Sequence, residues 1–131
     1  LGQDNQRQLQ PGCIRVLGEW PTMVEHLGLL RAMGVHRIGH PDQPMELRIA
    51  ALYRVHLHEA RSTLASVADE FESPALLEAG WHVVERAASL RAGLPEGIDA
   101  TAYYNEMTEV IDTWYAVTRR RLFAFAENDL A

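Results

Sequence analysis

The chain contains no lysine, a single cysteine and no long apolar run. Its 12 positively charged side chains are therefore all arginines, and 18 acidic side chains give a formal net charge of -6. The lone Cys13 excludes an intramolecular disulfide and a zinc site built from cysteines. Because no apolar run approaches about 18 residues, we expect no transmembrane helix within the sequence.

The acidic balance also limits the partners of the chain. A net negative charge opposes general attraction to nucleic acid or to an anionic membrane surface. The run Arg119-Arg120-Arg121 is too short to create a basic face. We therefore expect no nucleic-acid partner.

Period-two alternation and Asn-Gly hairpin signals are absent, whereas apolar residues recur at helical spacing. A length of 131 residues with 47% hydrophobic residues suits one domain with one core. Residues 1–12 form a polar lead-in, and residues 13–131 form the domain. We predict an all-α fold, namely an antiparallel up-down four-helix bundle with a long C-terminal helix.

Proline and capping residues mark the predicted helix ends. The first helix runs from Cys13 to His40, with Pro21 either starting a fresh helix or kinking a longer one. The second runs from about Met45 to Phe71. Ser73 is the expected N-cap of the third helix, with Pro74 at its first position and an end near Gly93, and Asp99 caps the fourth.

Each predicted helix carries an apolar stripe at steps of three and four residues. The stripes are Ile14, Val16, Leu17, Val24, Leu27, Leu30, Met33 and Ile38 in the first helix; Leu57, Ala60, Leu64, Val67 and Phe71 in the second; Leu77, Trp81, Val84 and Ala88 in the third; and Tyr104, Met107, Ile111, Trp114, Thr118, Leu122 and Phe125 in the fourth.

Four basic side chains interrupt the apolar pattern of residues 27–40: Arg31, His36, Arg37 and His40. A buried positive charge needs an anionic partner, and the planar fork of arginine suits a small carboxylate or oxyanion. Arg31 and Arg37 lie on different faces of a regular helix, however. Only one of them can point into the bundle unless the helix is distorted near Gly34. Otherwise both lie at the surface or pair with glutamates of a neighbouring helix, or the outward one meets its symmetry mate in a homodimer.

The approach to the last helix carries a resemblance to a known family. Residues 90–117, LRAGLPEGIDATAYYNEMTEVIDTWYAV, contain a Leu-Arg pair, a short glycine-containing turn and the paired tyrosines Tyr103 and Tyr104. With Gly34 near the end of the Leu-rich first helix, the pattern resembles the nitrate- and nitrite-sensing type of helical sensor domain. More loosely, it is similar to the four-helix ligand domains of chemoreceptors. The resemblance covers about Met23 to Arg121.

The resemblance implies a non-enzymatic, extracytoplasmic sensor domain of a bacterial transmembrane receptor, on the periplasmic face of the inner membrane. It implies a homodimer that binds a small molecule, signals through its end helices and meets the membrane only through flanking segments. The first helix of that family commonly carries Glu-Arg-Gly, in which the arginine is available to an oxyanion. This chain has Ala32-Met33-Gly34 there, so the glycine is kept and the arginine is missing. The resemblance therefore leaves the identity of the ligand open. We predict a ligand site, with an anion as one candidate, formed by Arg31, His36, Arg37, Tyr104 and Trp114.

A second class of function is suggested by residues 58–64, HEARSTL. This segment resembles the phospho-accepting box of histidine kinases, His-Glu-Leu-Arg-Thr-Pro-Leu, in which the histidine is a nucleophile toward phosphate. The proline is absent here, and no glycine-rich nucleotide-binding region follows. The alternative is thus an intracellular phospho-accepting or dimerisation module, or a protein-interaction bundle, while the simpler interpretation of His58 is a solvated polar face.

Two histidine patterns have spacings compatible with metal ligands. His36 and His40 are one turn apart, and Glu78, His82 and Glu85 share one face of the third helix. Carboxylate-bridged di-metal bundles need Glu-x-x-His on two helices, and covalent haem needs a Cys-x-x-Cys-His motif. We predict no metal, no cofactor and no catalytic residue.

Overall fold

A computed structural model describes residues 18–70 and 74–130, and it is all-α in those two ranges, with no strand. The four helices are α1 (Glu19–Gly39), α2 (Leu47–Val67), α3 (Pro74–Ala92) and α4 (Ala100–Leu130), with a short 3-10 turn, Ala68–Glu70, after α2. Within residues 18–70 and 74–130, the predicted helical class and the four predicted helices are confirmed. The lead-in 1–12, the first-helix stretch 13–17, Phe71 and the Ser73 cap lie outside the described residues, as does the side chain of Phe125.

The helix ends follow from local chemistry. Pro21 lies in the first turn of α1, where a backbone N–H has no helical acceptor, so proline starts this helix and does not kink it. The Asp99 carboxylate accepts a hydrogen bond of 3.0 Å from the backbone N–H of Ala102, which confirms the predicted cap of α4. Glu46, which the sequence did not mark, caps α2 by accepting from the N–H of Arg48.

One face of each helix forms a common core. The stripe predicted for α2 is buried wherever it is described, and Tyr53 extends it. The buried apolar residues are Trp20, Met23, Leu27, Leu30 and Ile38 of α1; Tyr53, Leu57, Ala60, Leu64 and Val67 of α2; Val83, Val84, Ala87 and Leu90 of α3; and Tyr103, Met107, Val110, Ile111 and Trp114 of α4.

The predicted stripes of α3 and α4 are confirmed in part, because Val84 of α3 and Met107, Ile111, Trp114 and Thr118 of α4 are buried. In α3, Val83 and Ala87 are buried as well, whereas Trp81 and Ala88 are only partly covered. In α4 the inward tyrosine is Tyr103, and Tyr104 is 45% exposed. One residue rotates a side chain by about 100° around a helix, so a position that is one residue off lies beside the core, as at Ala88 and Tyr104.

Two buried tyrosines join all four helices. The Tyr103 hydroxyl of α4 donates a hydrogen bond of 3.1 Å to the backbone carbonyl of Leu30 in α1. The Tyr53 hydroxyl of α2 donates to the backbone carbonyl of Ala87 in α3. The two hydroxyls also act on each other electrostatically. Each polar group in this part of the core therefore has a partner, as burial requires.

Gly34 makes room for this network. A Cβ atom added to Gly34 would lie 2.5 Å from both Cε1 and the hydroxyl oxygen of Tyr103. Within α1, the carbonyl of Leu30 accepts the backbone hydrogen bond of the Gly34 N–H. The Tyr103 hydroxyl reaches the same carbonyl by passing over Gly34, where there is no side chain. The close approach between α1 and α4 thus depends on the absence of a side chain at Gly34.

Replacing Gly34 with alanine is expected to lower the free energy of unfolding by about 1–3 kcal/mol, because the added methyl group overpacks the Tyr103 contact. Gly28→Ala is the matched control in the same helix. No atom lies within 4 Å of its added Cβ, so the better helix propensity of alanine should raise stability by about 0.5–1 kcal/mol. Urea unfolding of both variants measures the difference, and equal effects of the two changes would contradict the packing explanation.

The buried tyrosines also predict an alkaline loss of stability. Burial raises the pKa of Tyr53 to about 12 and shifts the pKa of Tyr103 upward as well. Above pH 10 the unfolded chain releases these protons before the folded chain does, so stability falls as the pH rises from about 10 to 12. Because the chain has no lysine, tyrosine is the side chain whose ordinary pKa lies in this window.

Tyr53→Phe tests this pH dependence. At pH 8 the variant should be less stable than the native chain by about 1 kcal/mol through the lost hydrogen bond, and the gap should narrow between pH 10 and 12. Tyr115→Phe, at an exposed tyrosine, is the control and should show neither effect. Urea midpoints across this pH range report the result, and a gap that stays constant would refute the assignment.

Candidate functional site

A small cleft lies where α1 ends and the chain turns into α2. Its volume is about 150 Å³. Residues of the last two turns of α1, the connecting loop and the first turn of α2 line it. They are Met33, His36, Arg37, His40, Gln43, Pro44, Met45, Glu46 and Ile49.

The basic side chains of the cleft are held by backbone carbonyls. Arg37 Nη1 donates to the carbonyl oxygen of Gln43 at 3.3 Å. Nδ1 of His40 donates to the carbonyl oxygen of His36 at 2.9 Å, and the two imidazole centroids are 4.3 Å apart. Most of the five N–H donors of Arg37 and the Nε2 atom of His40 are not used in these bonds.

The position of these side chains follows from the end of α1. His36 and Arg37 occupy its last turn, and His40 is its C-cap. Positive charge at a helix C-terminus is favourable because the last carbonyls carry partial negative charge. The same placement therefore stabilises the helix end and gathers one guanidinium and two imidazoles at one cleft.

The cleft is mixed in character. Its apolar wall consists of Met33, Met45, Pro44 and Ile49, whereas Glu46 adds one carboxylate. Drug-sized ligands occupy pockets of roughly 300–1,000 Å³, so this cleft suits a much smaller molecule. The donor set favours a small molecule that carries a carboxylate or another oxyanion.

Arg31 and Tyr104 meet in a different place, between α1 and α4. The Nη1 atom of Arg31 donates to Thr108 Oγ1 at 2.8 Å. Its guanidinium carbon lies 4.7 Å from the centroid of the Tyr104 ring, within the range of a cation–π contact. This half-exposed cluster is distinct from the cleft, in agreement with the expectation that Arg31 and Arg37 lie on different faces.

Trp114 lies in the core. Its ring centroid is 6.1 Å from that of Trp20, and its side chain is fully buried. Of the five predicted site residues, the structure therefore brings His36 and Arg37 together, brings Arg31 and Tyr104 together elsewhere, and places Trp114 with neither pair.

Three polar residues of the cleft were not among the predicted site residues: His40, Gln43 and Glu46. His40 had a signal, because it follows His36 by one turn in the same basic segment. Gln43 and Glu46 had none, since a loop that folds back on a helix end cannot be inferred from spacing. The backbone between the end of α1 and the start of α2 positions Gln43 and Glu46 at the cleft.

A second polar cluster joins α1 to α2. Nδ1 of His26 lies 2.9 Å from Nδ1 of His56, and the ring centroids are 5.1 Å apart. Burial lowers the pKa of His26, and the charge of His56 lowers it further, while Glu59 and Glu25 act weakly in the opposite direction. Nothing in the spacing of these residues pointed to the pair, because they are on separate helices.

The other histidines are spread over the surface. His58 and its neighbour Glu59 are exposed on α2. On α3, His82 Nε2 lies 2.7 Å from Glu106 Oε1 of α4. Across residues 18–70 and 74–130, no group of three or more histidine, cysteine or acidic side chains is arranged to hold a metal ion.

Comparisons of the chain with protein-family models, with curated proteins and with solved structures found no match. Within the described part of the chain, every helix is too short or too polar to cross a membrane.

The His26–His56 contact predicts an acid-sensitive stability. The pKa of His26 in the folded state lies below its ordinary value of 6.5, so the unfolded chain takes up the proton first as the pH falls. This stabilisation is complete above about pH 6.5 and is lost as the pH falls through the folded pKa. In a metal-free buffer, His26→Gln should reduce the slope of unfolding free energy against pH below 6.5.

His58→Gln is the matched control, because His58 is an exposed histidine on the helix that carries His56. It should leave that slope unchanged. The free energy of unfolding, measured in urea at several values between pH 5 and 8, compares the two variants. A slope that does not differ between them would show that the pair does not contribute.

Proposed function

We propose that the chain is a ligand-sensing helical domain of a bacterial transmembrane receptor, and that its ligand is a small molecule bearing an oxyanion. The observation that carries this proposal is the cleft at the end of α1, where His36, Arg37 and His40 converge. The receptor context rests on the resemblance to nitrate- and nitrite-sensing and chemoreceptor domains. On this proposal, the domain lies on the periplasmic side of the inner membrane, is not an enzyme and works as a homodimer.

The proposal includes an antiparallel up-down arrangement of the four helices. Contacts between neighbouring helices support it, because residues early in one helix meet residues late in the next. These contacts are Glu19 with Ser66, His26 with His56, Tyr53 with Ala87, Arg61 with Glu85, His82 with Glu106, Leu30 with Tyr103 and Trp20 with Trp114.

The lengths of the helices suit transmission along the domain. α1 packs against the three other helices, so a displacement of α1 must be accommodated by all of them. α4 has 31 residues and α1 has 21, which correspond to about 46 Å and 31 Å. Arg121 packs over the ring of Trp20 near the start of α1, and α4 continues beyond it to Leu130.

In this mechanism the ligand binds between the end of α1 and the start of α2. Arg37 supplies charged N–H donors, the imidazoles of His36 and His40 border the same space, and Met33 and Met45 cover the apolar part of the ligand. If the ligand prefers one position of α1 relative to its neighbours, binding shifts the population toward that position. α4 then carries the change to whatever follows it.

Arg37→Ala tests the ligand site. A thermal-shift screen of the native domain against small carboxylates, amino acids and inorganic oxyanions should first identify a compound that raises the melting temperature. For that compound, calorimetric affinity should fall about 10- to 100-fold in Arg37→Ala, because a charge-assisted hydrogen bond contributes about 1.5–3 kcal/mol.

Arg91→Ala is the matched control, since Arg91 is an exposed arginine in the last turn of α3. Its affinity should equal that of the native chain. If both changes weaken binding equally, the effect is one of general charge and the cleft is not the site. If no compound in the three classes stabilises the native domain, the sensing function is not supported.

A further inference from the structure

The His26–His56 pair is a cluster of metal-ligating side chains that the proposed function leaves unused. We propose that it is a binding site for a divalent late first-row transition-metal ion, of the Ni²⁺ and Cu²⁺ class, which joins α1 to α2. The site is separate from the cleft: ten residues along α1 separate His26 from His36, which corresponds to about 15 Å.

The distance between the two ring nitrogens carries the proposal. Nδ1 of His26 and Nδ1 of His56 are 2.9 Å apart. Two nitrogens at about 2.0–2.1 Å from one ion are about 2.9 Å apart at a ligand angle of 90°, and about 3.3 Å apart at the tetrahedral angle. The backbones of α1 and α2 therefore already hold both nitrogens at the spacing of adjacent ligands in a square-planar or octahedral ion, the geometry that Cu²⁺ and Ni²⁺ adopt.

Binding needs only side-chain rotation and a change of tautomer. In the metal-free pair, one ring donates its Nδ1–H to the Nδ1 lone pair of the other. For both Nδ1 atoms to bind an ion, the donor ring must carry its proton on Nε2 instead, which leaves the number of protons unchanged. The rings must also turn so that their lone pairs converge, and the terminal torsion of histidine is broad.

The surroundings of the pair suit a bound cation. Both rings are half-buried, which leaves one side open to water molecules as the remaining ligands. Glu25 and Glu59 act electrostatically on His26, so their negative charge also attracts a divalent cation. Among the described residues, no group of three or more histidine, cysteine or acidic side chains could hold a metal ion. The proposed site therefore has two protein nitrogens as its ligands.

The His36–His40 pair offers the sharpest comparison within the same chain. Its two histidines are one turn apart, but His40 uses Nδ1 to bond the carbonyl of His36. These residues belong to a single helix end, so an ion bound there would not join two helices. The double variant His36→Gln/His40→Gln thus removes the competing pair and leaves His26 and His56 in place.

Nickel titration of the tag-free domain at pH 7.5 tests the proposal. One Ni²⁺ should bind per chain and raise the melting temperature by at least about 3 °C. His26→Gln and His56→Gln should each weaken binding by more than about tenfold, since even the loss of a residue that only supports a metal ligand costs 10- to 100-fold. The double variant at 36 and 40 should bind as the native chain does.

A second measurement needs no variant. Ni²⁺ is paramagnetic, so it should broaden the ring NMR signals of His26 and His56 before those of the other histidines. Lowering the pH below 6.5 should release the ion, because protons compete for the same nitrogens. Broadening centred on His36 and His40, or binding unchanged in both single variants, would overturn the proposal. The absence of nickel binding would overturn it too and would leave the pair as a proton-sharing contact only.

Discussion

The hydrogen-bonded link through Tyr53 and Tyr103 is the constraint on which the packing of this domain depends. Each hydroxyl donates to a backbone carbonyl of a helix other than its own, from α2 to α3 and from α4 to α1, so the two buried tyrosines together join all four helices. A buried hydroxyl without a partner would cost about 1–3 kcal/mol. The four helices therefore have to keep a mutual position in which both carbonyls stay within reach.

This constraint fixes the neighbourhood of two polar clusters of α1, the His26–His56 pair and the cleft. Leu30, whose carbonyl is bonded, lies between His26 on one side and His36 and Arg37 on the other. His26 therefore faces His56 from a helix whose position is set by its contact with α4. The basic end of α1 projects beyond the network and meets the loop that leads into α2. One central anchor thus separates two sites with different chemistry on the same helix.

Much of the fold could be predicted from the sequence, because its signals are local. Asp99 reaches an amide three residues away, Pro74 begins a helix by its own backbone geometry, and the stripe of α2 depends only on repeat spacing. The choice between Tyr103 and Tyr104 was not local. It depends on the rotation of α4 against Gly34 of α1, a residue 69 positions earlier, and periodicity alone does not determine that rotation.

The candidate site was predictable only in part for the same reason. His36 and Arg37 share a helix end, so a single segment of sequence contains both, and the structure brings them together. The pairing of His26 with His56 and of Arg31 with Thr108 depends on which helices are neighbours and how they are rotated. Spacing within one helix carries no information about either.

The contact between Gly34 and Tyr103 also constrains how this protein can change over evolutionary time. A methyl group at position 34 has no space while an aromatic ring occupies position 103, and the ring in turn needs a bare helix surface beneath it. The two positions are therefore sterically coupled across two helices. Among descendants of this chain, replacement of Gly34 is tolerated most easily where Tyr103 has already been replaced by a shorter side chain. The order of the two substitutions therefore matters as much as their identity.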